Sequence, residues 1–459
     1  MFRKYIGDRD FYSKLLKIMI PLLIQNVITN LVSLLDNIMV GQVGTEPMSG
    51  VAIVNQLLFI FNLCIFAVTA SAGIYSAQFF GKGDMEGVRS SFRMKFWLCA
   101  AVFAVALAVL LPCGDFFIGI FLHDSQEGLD LAATLQSASD YLKVMYVGLL
   151  PFAIAQAYGS TLREGGETVI PMRASISAVF VNLILNYILI FGKLGAPAMG
   201  VVGAAIATVI SRFVEFGIIA IYAHTHKKKL LYMEGLFKTL RVRGGLAGSI
   251  LRMGFPLILN EFLWSTGMTM LNQCYSMRGL EVVSACNISS TVSNLFFCAI
   301  FAMGNTISII VGQLLGAGEL DRAVDEARKL IAFSVTLSVG VGIVLAFLAP
   351  LFPQLYNTTD MVKDIADKMI LIIAISMPFC AFSHGCYFTL RSGGNTWITF
   401  LFDCVFTWVV CLPVALILSR FTSVPIIPMY AAVRATEIIK VMIGLPMLKS
   451  RKWVHNLVE

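Results

Sequence analysis

Asp36 stands where a charged side chain is hardest to explain without chemistry. It lies between Ser33-Leu34-Leu35 and Asn37-Ile38-Met39-Val40, well inside an apolar run that begins after Lys17. Counted from Lys17 at about 1.5 Å per residue, it sits roughly 28 Å along a helix. A charge at that depth in a membrane costs at least ~2.5 kcal/mol unless water or partners reach it. Asn182 and Asn186 are the candidate partners: they are spaced i,i+4 and so share one helix face. Counted from Thr168, they stand about 21 and 27 Å along their own helix, close to the same depth. Thr208, on the next helix, is a further candidate. Such a pocket suits a carboxyl that takes up and releases a proton, because burial favours the neutral form of an acid. It suits Na⁺ equally, since Asp, Asn and Thr all offer oxygen ligands. The competing reading makes Asp36 a cap near the outer interface, with Gly41 soon after it.

A second set lies in the later half. Glu261 is nine residues beyond Arg252, about 14 Å in, while Asp403 and His384 are each seven residues from Thr396 and Arg391, about 10 Å in. Three titratable groups at similar depth can line one cavity, and its acids would favour organic cations. Asp403 and His384 can instead serve the cytoplasmic ends of their helices. Arg212/Glu215 and Arg434/Glu437 are i,i+3 pairs whose charges can partly neutralise each other, a structural role that outweighs transport chemistry because both halves keep it.

The elements that must carry these residues are membrane helices. The chain has 459 residues, is 58% hydrophobic and only 13% charged, against roughly 25% charged in soluble domains. Apolar stretches near the ~20 residues needed to cross a bilayer recur throughout. They predict an all-α integral membrane protein with twelve transmembrane helices over 12–40, 47–76, 92–113, 137–160, 168–192, 199–223, 248–275, 284–312, 327–352, 366–388, 397–419 and 426–447. Most Lys and Arg, including Lys82, Arg89, Arg93, Lys95, Lys227–Lys229 and Lys449, fall in the termini and even-numbered connections, which predicts both termini in the cytoplasm. The net charge of +7 is then a topology signal, and the short basic runs do not suit nucleic acid. Residues 1–17 show no small-residue cleavage site, so no removable signal is expected. The ten cysteines are scattered without a C-x-x-C pair and read as buried apolar residues.

Residues 21 to 95 recur 235 positions later: Pro21 matches Pro256, Gln78 Gln313, Gly81 Gly316, Gly83 Gly318 and Arg93 Arg328. Later segments match at shorter offsets, Thr161-Leu162-Arg163-x-Gly165-Gly166 with Thr389-Leu390-Arg391-x-Gly393-Gly394, and Arg212-x-x-Glu215 with Arg434-x-x-Glu437. The chain therefore reads as two pseudo-symmetric six-helix lobes in a parallel repeat, an N-lobe over 1–230 and a C-lobe over 248–459. The linker, 231–247, is expected to carry a short amphipathic helix near Leu231–Leu240. The Gly-x-Gly turns at 81–83 and 316–318 are expected to close helices in the left-handed conformation, not to cradle phosphate. Pro21 and Pro256 suit either a bend or a first helical turn. Asp36 faces Leu271 across the repeat, and Glu261 faces Asn26, so the mismatches divide the work between halves.

Taken together, Pro21-Leu22-x-x-Gln25, Asp36-Asn37-Ile38-Met39-Val40-Gly41, Gln78-x-x-Gly81-x-Gly83, Asn182-x-x-x-Asn186-Tyr187, Gly200-x-x-Gly203-Ala204-Ala205-x-Ala207-Thr208, Gly254-x-Pro256 and Gln313-x-x-Gly316-x-Gly318 resemble the multidrug and toxic compound extrusion (MATE) family over nearly the whole chain. The resemblance implies an antiporter with two lobes arranged as a V, expelling organic cations in exchange for H⁺ or Na⁺. It puts the family's ion-site acid at Asp36, with Asn182 and Asn186 beside it, and a second-lobe acid at Glu261. Some members carry Asp where Asn186 stands, which leaves the ion open. The implied setting is the plasma (inner) membrane, with a small organic cation and membrane lipid as partners, no cofactor beyond the coupling ion, and a monomer. The alternatives are a lipid-linked oligosaccharide flippase of the same superfamily, which would need a large cationic cavity, a channel, or a membrane-embedded enzyme. No H-E-x-x-H, G-x-S-x-G or Walker loop supports the last.

Overall fold

The computed structural model of the chain describes residues 2–121 and 130–459. Its described residues form twelve long helices: α1 (Arg9–Gly41), α2 (Thr45–Lys82), α3 (Met85–Phe121), α4 (Leu131–Glu164), α5 (Val169–Phe191), α6 (Gly200–Thr225), α7 (Leu246–Ser276), α8 (Leu280–Gly316), α9 (Leu320–Leu348), α10 (Asp360–Ser392), α11 (Thr396–Phe421) and α12 (Ile426–Lys449). Each contains most of one predicted span and generally runs beyond it, because backbone hydrogen bonding continues past the apolar stretch. Eleven are long and apolar enough to cross a membrane. The other, α12, carries Arg434, Glu437 and Lys440 in its middle. The protein is an all-α, multi-pass membrane protein. Pro21 and Pro256 both lie inside their helices, so the first-turn alternative does not hold. Each deprives the helix of one backbone hydrogen bond.

Contacts divide the chain into two compact units. One comprises Ile24–Ser76 and Met85–Ile250. Within it α6 packs along both α4 and α5, and α3 packs along α4, around a core that includes Ile65, Leu142, Met145, Leu149 and Ala205. The α5–α6 approach is close: a Cβ on Gly203 would lie 2.7 Å from the Leu189 backbone. The linker forms no amphipathic helix. It makes a single 3₁₀ turn, Leu231–Met233, and then turns through Gly235 at φ +75°. Its carbonyls are taken by another element: Arg89 donates to Leu231 and Tyr232 at 3.1 and 3.2 Å, and Arg93 to Leu236 at 2.9 Å and Gly235 at 3.4 Å. Tyr232, Met233 and Leu236 are buried beneath.

Lys95, expected among the exterior positive residues, is wholly buried. Its ammonium pairs with Glu164 at 2.5 Å and donates to Ser160 and Thr161 at 3.0 and 2.9 Å.

The other unit comprises Met1–Leu23, Ala77–Asp84 and Leu251–Glu459. Here α10 is central, packed against α8, α9 and α12, with Met303, Ile307, Met369, Ile370 and Met377 buried. The paired glycines split their duties. Gly83 and Gly318 are left-handed, at φ +77° and +78°, as expected. Gly81 and Gly316 are helical, and a Cβ on either would lie 1.8 Å from the carbonyl oxygen of Gln313 or Gln78. They are glycines because two helix ends touch. Beyond α12, the chain's last residues lie along these ends. Trp453 is buried, and Gln78 accepts from the Leu457 N–H at 2.8 Å and donates to the His455 and Ser392 carbonyls.

Candidate functional site

In the first unit, α1, α5 and α6 bring the four predicted polar residues together. The Asn186 amide donates to the Asp36 carboxylate and also to Asn182 Oδ1 at 3.2 Å, while Asn182 donates to Thr208 Oγ1 at 3.3 Å. The i,i+4 spacing on α5 puts both amides on the face turned to α1 and α6. Asn186 is fully buried, and its Oδ1 has no protein partner among the described residues. Asp36 is half-buried. Tyr141 of α4, which sequence reasoning missed, closes the cluster beside Thr208 and Asp36 and is 2% exposed. A tyrosine in an apolar helix carries no depth signal of its own, so only the fold reveals it. Every acceptor here is an oxygen, and a neutral amide faces the carboxylate. That chemistry accepts a proton or a small hard cation without a second acid.

The nearby Arg212 and Glu215 do not pair with each other within 4 Å among the described ion pairs. Arg212 donates to the Gly148 carbonyl at 3.3 Å and lies over Phe152 at 5.0 Å, and Glu215 accepts from Ser175, which itself accepts from Gln25 at 2.8 Å. Their counterparts behave alike: Arg434 donates to the Tyr430 hydroxyl at 3.0 Å, and Glu437 accepts from Ser383 at 3.0 Å. Each charge bonds to a neighbouring polar group, and the i,i+3 neutralisation expected from spacing is not how they are satisfied.

In the second unit, Glu261, His384 and Asp403 gather as predicted by depth, but they are not a set of free acids. Asp403 pairs with Lys440 at 2.7 Å and accepts from Asn260 at 3.3 Å. Glu261 lies within electrostatic range of Arg391 and Asp403. His384 is set edge-on against Phe301, 5.4 Å between ring centroids, within range of Asp403, Lys440 and Glu437. Lys440, six residues beyond Arg434 on α12, was not among the residues singled out from sequence. The run Ile438-Ile439-Lys440-Val441-Met442 carries the same signal as the run around Asp36. Asp403 sits where α11 widens into π turns over Leu401–Val405 and Thr407–Cys411. Such turns shift side-chain register and are frequent at functional sites. Against them α7 packs closely, with Trp408 donating to the Leu263 carbonyl at 2.9 Å beside Gly267.

Comparisons with known proteins bear on the family and the fold. The chain is 28% identical over 457 residues to a probable multidrug resistance protein NorM of Thermotoga maritima, covering 99% of this chain and 96% of that one. It is 24% identical to a probable multidrug resistance protein YoeA of Bacillus subtilis, covering 93% and 90%. Among solved structures, an outward-facing multidrug resistance MATE family transporter of the MOP superfamily superposes with a TM-score of 0.84 at 18% identity, covering 98% and 97%. A MOP superfamily transporter from Pyrococcus furiosus, described as having a binding pocket of reverse polarity, superposes at 0.82 with 19% identity, covering 98% of both chains. Those likenesses concern the fold. Residues 21–188 and 256–417, more than half of the chain, match the MatE family model, and the chain belongs to the MatE family.

Proposed function

We propose that this protein is a secondary active antiporter that expels organic cations in exchange for entering H⁺ or Na⁺, by alternating access. The observation that carries the reading is the Asp36–Asn186–Asn182–Thr208 chain. It joins three helices of a very apolar protein around one carboxyl whose hydrogen-bonded chain is made of neutral groups. Structural stability alone gives little reason to keep an acid there, since an apolar residue would avoid its desolvation. Coupling follows if ion or proton binding at Asp36 favours one arrangement of the protein and the organic cation near Glu261 the other; ligands without such a difference shift nothing. The curated relatives carry multidrug resistance names, which fits organic cations as the substrate class. The basic residue clusters support cytoplasmic termini, and the internal repeat supports lobes at 1–230 and 248–459, although residues 1–23 and 77–84 pack in the compact unit of the second half; the protein works as a monomer in the cell membrane.

The flippase alternative calls for a large cationic cavity. Lys440, the cation nearest the Glu261 group on α12, is instead neutralised by Asp403. The test is ethidium efflux from proteoliposomes under separately imposed H⁺ and Na⁺ gradients. Efflux that follows one gradient supports the antiporter, and a Glu261→Gln protein is expected to lose ethidium affinity. Efflux indifferent to both gradients overturns the reading.

A further inference from the structure

Lys440 occupies a setting that any organic ammonium ion would find favourable. One side of its ammonium holds the Asp403 carboxylate at 2.7 Å. The ring faces of Phe402 and Phe406 lie 5.5 and 5.7 Å away, and both rings are buried. A carboxylate with two aromatic faces is the usual chemistry for recognising ammonium groups, through charge and cation–π attraction together. The three receptor residues come from one stretch of α11, at 402, 403 and 406, where the π turns re-aim them. Around them stand Asn260 and Glu261 from α7, His384 and Arg391 from α10, and Glu437 from α12. The Lys440 side chain is 9% exposed and that of Asp403 22%, so the acid is the less enclosed member of the pair.

An ion pair serving only stability is poorly placed here. Buried pairs are often no better than apolar replacements, and Leu or Met on α12 would fill the space. Lysine also carries a long flexible stem and a compact head, so it can withdraw from a partner more readily than arginine.

We propose that Lys440 is a tethered cation which holds the Asp403–Phe402–Phe406 box in the absence of substrate and competes with the organic cation for it. The inference rests on the efflux reading above and adds the residue that sets how tightly a cation must bind to enter. Competition makes a directional prediction that a structural pair does not. Removing the tethered cation strengthens binding of the free one, and fixing it more firmly weakens it.

The experiment measures ethidium binding to the purified, detergent-solubilised protein by fluorescence, with monodispersity checked in parallel. Lys440→Gln is expected to tighten ethidium binding by about tenfold, the scale of one partly screened charge pair. The gain should vanish in Asp403→Asn/Lys440→Gln, where no carboxylate remains to be freed. Lys440→Arg keeps the charge, but its forked guanidinium grips a carboxylate in two places, and ethidium binding by the monodisperse variant should weaken severalfold. Should Lys440→Gln fail to fold, the arginine variant alone decides. Unchanged ethidium affinity in Lys440→Arg, or in a well-folded Lys440→Gln, overturns the inference while the efflux reading stands. Lack of saturable ethidium binding by the unaltered protein overturns both.

Discussion

Lys95 and Glu164 offer a test of how this fold tolerates buried charge. The ammonium is fully enclosed and has three partners, one of them the carboxylate at 2.5 Å. Gly73 leaves room for that carboxylate: a Cβ there would lie 2.5 Å from Glu164 Oε1. Substituting Glu164→Ser leaves a buried ammonium held only by two hydroxyls, and stranding one member of such a pair costs about 3–5 kcal/mol. For a cooperative unit of roughly 200 residues, each kcal/mol moves the melting temperature by about 2–4 °C, so a fall on the order of 10 °C is expected. The repeat supplies the rescue. Leu330 stands at the position equivalent to Lys95 and Ser392 at that of Glu164, so the other half solves the same packing problem without charge. The double substitution Lys95→Leu/Glu164→Ser should therefore recover most of the loss, ending within about 2 kcal/mol of the unaltered protein. The assay is thermal unfolding in detergent at one fixed scan rate, with all three proteins compared. A double variant less stable than Glu164→Ser alone would refute the reasoning, as would a single variant that melts with the parent.

Gly81→Ala should be far more damaging than Gly83→Ala, because the first drives a methyl into the Gln313 carbonyl at 1.8 Å while the second meets nothing within 4 Å. Thermal unfolding should show a loss of about 1–2 kcal/mol for Gly83→Ala, the cost of a left-handed alanine, and a clearly larger one for Gly81→Ala. Arg93→Ala releases the linker carbonyls of Gly235 and Leu236 and the ion pair with Glu86. Local opening should become easier by about 2–3 kcal/mol, so limited proteolysis between residues 231 and 245 should speed up by one to two orders of magnitude; cleavage at the parent's rate would show that the arginine does not hold the segment.

Much of this arrangement was legible because helices convert sequence separation into depth. Asp36 and Asn186, counted from different helix starts, fall within about 1.5 Å of each other in height, and the structure joins them. The same counting gathered Glu261, His384 and Asp403. It could not assign their partners, since depth fixes one coordinate and leaves rotation about each helix free. Depth alone thus left Asp403 between a cavity acid and a helix-end group, whereas in the structure it is paired with Lys440. Lys95 misled for a related reason: a basic residue near a helix start suggests the aqueous edge, but a carboxylate and two hydroxyls from α4 enclose it. The linker failed as a helix because its apolar spacing ignored Gly235 and the two arginines of α3 that take its carbonyls. The glycine pairs gave up half their meaning to sequence. A left-handed turn is a local property, whereas the contact at Gly81 depends on a residue more than two hundred positions away.

Coupling at Asp36 can be measured directly. Proteoliposomes loaded with ethidium, holding either the unaltered protein or a correctly inserted Asp36→Asn variant, should be compared under an imposed H⁺ gradient and, separately, an imposed Na⁺ gradient. Asparagine preserves the volume and a hydrogen-bonding group beside Asn186 but can carry neither a proton nor a negative charge. The unaltered protein should expel ethidium in response to one of the gradients. The variant should still bind ethidium and yet show only the leak measured without a gradient. Gradient-driven efflux by Asp36→Asn at the rate of the unaltered protein would contradict the assignment of coupling to this cluster.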